Sequence, residues 1–161
     1  MINRREFMAG TGLAGLRLAR PARALAAAPS APVAVARCRS YGTEFLSATE
    51  KMFDQLGGLG RLVKGKTVTI KINLTGVETT RLDYLPQGRT FWSHPRTVGA
   101  VIHLMDKAGA RRIRVVEGAW VWPASLEEFM LKAGWNPDLL LKAAPAVELI
   151  NTNLPYKGSK P

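Results

Sequence analysis

The sequence predicts an α/β domain of the doubly wound class, a mostly parallel sheet in a Rossmann-like three-layer arrangement. Three observations predict it. Strand-like and helix-like segments alternate as β-α-β-α-β-α-β, a pattern that favours right-handed crossovers between parallel strands. Capping residues, prolines and glycines mark where the helical segments start and stop. The chain of 161 residues, 47% apolar and 22% charged, has the composition of one ordinary globular domain with a real core.

The first strand is expected over "PVAVARCR", Pro32 to Arg39, which is rich in Val and Ala. Cys38 reads there as a small buried thiol. Thr43 is placed as the cap of a helix running to about Leu56, with Phe45, Met52, Phe53 and Leu56 on one stripe and Gly57-Gly58 ending it. The second strand is "KTVTIKINLTG", Lys66 to Gly76, with Val68, Ile70, Ile72 and Leu74 on one face. Thr67, Thr69, Lys71 and Asn73 fall on the other, because strand side chains alternate with period two. That second face is either wet or holds a ligand. A long connection, "GVETTRLDYLPQGRTFWSH", follows, and loops of this length in compact domains usually serve as lids or binding loops.

Pro95 suits the first turn of the next helix, whose apolar face is Val98, Val101, Ile102 and Met105 and whose stop is Gly109. "RRIRVVEG", Arg111 to Gly118, is the third strand. Ser125 and Glu128 form a capping box for a helix that ends at Gly134. Asn136-Pro137 starts a short helical piece to about Ala143, and "AVELIN", Ala146 to Asn151, is the fourth strand. No internal repeat is found.

The formal charge is +11, part of which lies in the leader. "MINRREFMAGTGLAGLRLARPARALAAAPSAP" carries Arg4-Arg5, then Phe7 and Met8, then a weakly apolar run. This resembles a twin-arginine export signal, with the small-x-small triplet Ala24-Leu25-Ala26 placing cleavage after Ala26. The expected organisation is a signal over 1–26, a linker over 27–31, the α/β domain over 32–151 and a tail over 152–161. The export machinery is then a partner through the leader, and the destination is periplasmic or extracellular. The apolar run is short and is broken by Arg17, Arg20 and Arg23, so no stable membrane span is expected. Removing the leader takes away five Arg and one Glu, lowering +11 to +7 without leaving a block of like charge. Lys64, Lys66, Arg111, Arg112 and Arg114 read as solvated clusters, and no nucleic-acid partner is expected. One cysteine rules out an intrachain disulfide, a four-cysteine zinc site or an iron–sulfur cluster from this chain alone.

Ligands of open parallel sheets bind at the carboxyl ends of the strands, and that edge selects four candidate binding residues. Lys71 offers a point charge for a phosphate or carboxylate, and Asn73 a donor and an acceptor to orient it. The alternative for Lys71 is snorkelling from a strand edge. His94, at the N-cap position before Pro95, lies where the helix dipole disfavours imidazolium. A neutral histidine there serves as base, donor or metal ligand, or equally as a cap or loop-packing residue. Glu117 ends the third strand before Gly118 and can accept a proton, bind a hydroxyl or pair with Lys71. No catalytic residue is assigned. His94, Glu117 and Asn73 lack the spacing of a metal motif, and no metal is assigned. His103 shares a helix face with Asp106 and Lys107 and is expected to be exposed. Trp92, Trp120 and Trp122 sit in loops, as a stacking platform or as core covering the sheet edge.

The segments "VAVARCRSY", "LGGLGRLVKGKTVTIKINLTG" and "SHPRTVGAVIHLMDKAGARRIRVVEG" resemble the family called domain of unknown function 362. The resemblance rests on Lys71, Asn73 and Leu74, on His94-Pro95, on Gly109-Ala110 and on Glu117-Gly118, and it covers about Pro32 to Asn151. It implies the α/β fold and the same four site positions. Members continue beyond this point with a second half, so the resemblance implies that the chain carries only the N-terminal part of the domain. Relatives often bear a ferredoxin-like cysteine segment, which implies a redox-linked enzyme or accessory protein with an iron–sulfur partner. The competing reading is a non-catalytic interaction domain anchored by Trp92, Trp120 and Trp122.

Overall fold

The structure is a computed structural model, and it describes residues 31–76, 81–118 and 125–153. The chain divides into two units, Met1–Pro32 and Val33–Pro161, and the statements below concern the second. The leader expected over 1–26, Trp120, Trp122 and the tail from 154 onward lie outside the described residues.

The architecture is α/β. Helices α1 (Thr43–Gln55) and α2 (Gly60–Val63) precede strand β1 (Thr67–Lys71). A small hairpin, β2 (Arg81–Leu82) and β3 (Leu85–Pro86), and a 3-10 turn (Gln87–Arg89) lead to α3 (Pro95–Lys107). Then come β4 (Arg112–Glu117), α4 (Leu126–Lys132), α5 (Pro137–Leu141) and β5 (Val147–Asn151). The main sheet has three parallel strands in the order β1-β4-β5.

The structure differs from the sequence-based expectation at the first strand, at Cys38 and at the cap of α1. Residues 32–39 form no strand: Val33 and Val35 are 83% and 84% exposed. A strand needs a ladder partner, and a short Val/Ala run does not supply one. The backbone N–H groups of Arg39 and Ser40 instead donate to the Glu44 carboxylate, at 3.1 and 3.2 Å, which turns the chain into α1. Cys38 is consequently exposed and not buried, its Sγ 3.0 Å from the Ser40 carbonyl. Thr43 is the first helical residue and Gly42 occupies the N-cap.

The sheet is also covered on one side only, among the described residues. Ile70, Ile72, Ile113, Val115, Val147 and Leu149 line one face and pack against Val98, Ile102, Leu126, Phe129, Met130 and Leu140 from α3, α4 and α5. Val68 on the same face joins Phe53 of α1 and Leu104 of α3 around Leu59 and Val63. The strand order explains this. The sheet grows in one direction from β1 to β5, and right-handed crossovers made in one direction all lie on the same face. The other face carries exposed Thr67, Thr69 and Arg112, and Arg114 pairs there with Glu148 at 2.9 Å. Polar alternation along β1 and β4 is what an uncovered face requires, and fully buried parallel strands read as continuous apolar runs instead.

Helix limits follow the capping chemistry. Ser125 Oγ accepts from the Glu128 N–H at 3.1 Å, whereas the Glu128 carboxylate pairs with Lys132 at 2.9 Å and leaves the box one-sided. Asn136 Oδ1 caps α5 through the Asp138 N–H at 3.1 Å. Gly109 ends α3 at φ +88°, a conformation open to glycine, and a Cβ there would meet Lys64 Cγ at 3.3 Å. Leu104, outside the apolar face expected for α3, is buried because α2 packs against that side of the helix.

Candidate functional site

All three strands of the sheet end at one edge, and their final residues build a polar knot. Glu117 closes β4 on the core face, and its side chain is only 7% exposed. A buried carboxylate must be paired and hydrogen-bonded. Here Oε2 accepts from the Leu74 N–H at 2.8 Å, and Oε1 accepts from the Gly118 N–H at 2.8 Å and from Lys71 Nζ at 2.7 Å. The Glu117 carbonyl accepts from the Thr152 N–H at 2.9 Å, tying in the end of β5. Lys71 also donates to the Ile72 carbonyl, so two acceptors hold its ammonium in place while 62% of its side chain stays exposed. Beside this pair, Gly118 is crowded: a Cβ there would lie 3.1 Å from both Thr152 Oγ1 and Asn153 Oδ1.

Asn73 lies on the same edge and acts on the backbone. Its Nδ2 donates to the Phe91 carbonyl at 2.7 Å, and its Oδ1 accepts from the N–H and hydroxyl of Thr75. The Asn73 N–H donates to Ser93 Oγ at 3.0 Å, and the Ser93 N–H returns a bond to the Asn73 carbonyl at 2.9 Å. Trp92 Nε1 donates to the Thr75 carbonyl at 2.9 Å while its ring packs 5.9 Å from Phe129. Residues 73–75 and 91–93 are thereby laced together. Trp92 is 9% exposed and belongs to the core, which removes it as an anchor for a partner.

His94 follows this lacing but turns away from it. It is the N-cap of α3, with Nδ1 accepting from the Arg96 N–H at 3.2 Å, so the proton of the neutral ring is on Nε2. The ring stacks on Tyr41, centroids 3.5 Å apart and planes within 7°. Partial burial, and then the charge of Arg96, hold its pKa below the ordinary histidine value of 6.5. The structure therefore joins Lys71 to Glu117 directly, brings Asn73 beside them through Leu74, and commits His94 to the helix cap. His103 is exposed, as expected.

Sequence reasoning missed Ser93 and Thr75 at this edge. A Ser directly before the His-Pro helix start was a usable sign for the first. Tyr41 gave no sign, since its stacking on His94 joins segments far apart in sequence. Among the described residues no three His, Cys, Asp or Glu side chains gather as a metal-binding group, and no helix is long and apolar enough to cross a membrane. No family model, no curated protein and no solved structure matches this chain.

Proposed function

We propose that this is an exported α/β domain that binds a small polar or anionic ligand at the carboxyl edge of its sheet, with the Lys71 ammonium as the anion contact. The observation that carries the reading is the inequality of the Lys71–Glu117 pair: the cation is 62% exposed and the carboxylate beneath it 7%. Glu117 is held by the N–H groups of Leu74 and Gly118 and acts as a fixed support for the lysine. A positioned ammonium at the end of a parallel strand binds anions with little ordering cost. Asn73, through the lacing of residues 91–93, sets the height of the rim beside it, and His94 fixes where α3 begins.

Export rests on the resemblance of the leader to a twin-arginine signal. A redox-linked enzyme or accessory role, with an iron–sulfur partner, rests on the resemblance to domain of unknown function 362.

Calorimetric titration of the full chain with phosphate, oxalate and citrate tests it. At least one of these anions is expected to bind, with affinity lowered about tenfold or more in Lys71→Gln. Glutamine keeps an N–H for Glu117 while removing the charge. Equal affinity in both proteins overturns the reading, as does absence of binding by all three anions.

A further inference from the structure

A second concavity lies away from the strand edge, among the helices. It encloses about 540 Å³, within the range of small-molecule sites. Its floor is the outward face of α3, where Arg96, Gly99, Ala100 and His103 recur at helical spacing. The two small residues keep the floor low, and Gly99 has space for a Cβ with Leu140 no nearer than 3.7 Å. One wall is the start of α1, with Tyr41 and Phe45 at ring centroids 5.0 Å apart. Trp135, Leu139 and Leu140 form the other wall. Tyr41 is 46% exposed and Leu139 66%, more apolar surface than a lone surface residue would present in one place.

Among the described residues the groove carries a single formal charge, the Arg96 guanidinium. Arg96 and His103 stand one at each end of the floor, and among the described residues no carboxylate lines the groove and neither side chain forms an ion pair. Tyr41 is itself held flat against His94, the cap of α3, so the aromatic wall is fixed in orientation before any ligand arrives.

We infer that this groove binds an amphipathic organic carboxylate, its apolar body between Tyr41 and Leu139 and its anionic head on Arg96. Apolar walls without the guanidinium would accept neutral hydrophobes equally, and a guanidinium without walls would accept any small anion. The combination selects a molecule carrying both. This site is separate from Lys71 and does not depend on the reading of the strand edge.

The test titrates the full chain with 2-naphthoate and decanoate, and with the corresponding alcohols, by calorimetry. At least one carboxylate is expected to bind about tenfold or more tightly than its alcohol, and Arg96→Gln should remove that preference. Ala100→Phe, which fills the floor, should abolish binding. Leu139→Glu, at a position exposed enough to leave folding intact, should weaken the carboxylate more than the alcohol. No binding by either carboxylate, equal affinity for acid and alcohol, or full binding by Leu139→Glu overturns the inference. So does a stable dimer in sedimentation that Leu139→Glu dissociates, since the groove would then be closed by a second copy.

Discussion

Lys71 Nζ and Glu117 Oε1 meet at 2.7 Å across 46 positions of sequence, and the two partners live in different solvents. The lysine is mostly in water, the glutamate almost wholly inside. Their removal should therefore have unequal consequences. Glu117→Ala strands the N–H groups of Leu74 and Gly118, each an unsatisfied donor at a buried edge, and should cost about 2–4 kcal/mol. Lys71→Gln leaves Glu117 its backbone donors and should cost about 1 kcal/mol. Urea unfolding of the two variants checks the asymmetry, and similar losses in both would contradict it.

His94 makes the stability depend on pH. Its folded-state pKa lies below 6.5 because the neutral ring is partly buried and caps α3 beside Arg96. Protonation costs the folded state more than the unfolded one. The contribution is therefore fully present above pH 6.5 and is lost as pH falls from there through the lowered folded value. The stability that the neutral ring lends to the start of α3 should disappear over that interval. His94→Asn keeps a capping side chain that does not titrate, so its unfolding free energy should be flatter across the same range. Carboxylates that titrate at lower pH affect both proteins alike.

Asn73 should behave as a loop fastener. Asn73→Ala breaks the bond to the Phe91 carbonyl and the Asx turn to Thr75 together. A loss of about 1–3 kcal/mol is expected. Asn73→Asp keeps the acceptor for Thr75 and loses only the donor, so it should fall between the two. Amide exchange at Ser93, whose N–H bonds the Asn73 carbonyl, reports the loosening directly. Unchanged protection there would show that Asn73 does not hold the loop.

Gly109→Ala should destabilise by about 1–2 kcal/mol, because an L-residue is forced into the left-handed region and its methyl presses on Lys64. Thermal unfolding measures it. Gly99→Ala, with ordinary van der Waals space around the new methyl, should be neutral or slightly stabilising in the same assay.

The period-two pattern of β1, the His-Pro helix start, the Ser125 and Asn136 caps and the Gly109 stop were all legible in sequence because each is a local signal. The same is true of Lys71 and Glu117 as residues of the strand edge. The failures share a different cause. Val33 and Val35 carry strand propensity, but a strand is defined by its ladder, and no local pattern states whether a partner is present. The second face, uncovered among the described residues, is written in the alternation of β4, where Arg112 and Arg114 flank Ile113. The stacking of Tyr41 on His94 and the groove beside it arise from the meeting of α1, α3 and α5, which only the tertiary structure brings together.

The central claim is that Lys71 is a positioned cation awaiting an anion, and the amides of Leu74 and Gly118 are its natural reporters because both donate to the carboxylate that holds it. Proton–nitrogen correlation spectra recorded during titration with phosphate, oxalate and citrate read them directly. An anion that draws on the Lys71 ammonium should shift these two resonances in a saturable manner, and the shifts should vanish in Lys71→Gln. Resonances that stay fixed throughout, or that move identically in the variant, would contradict the account.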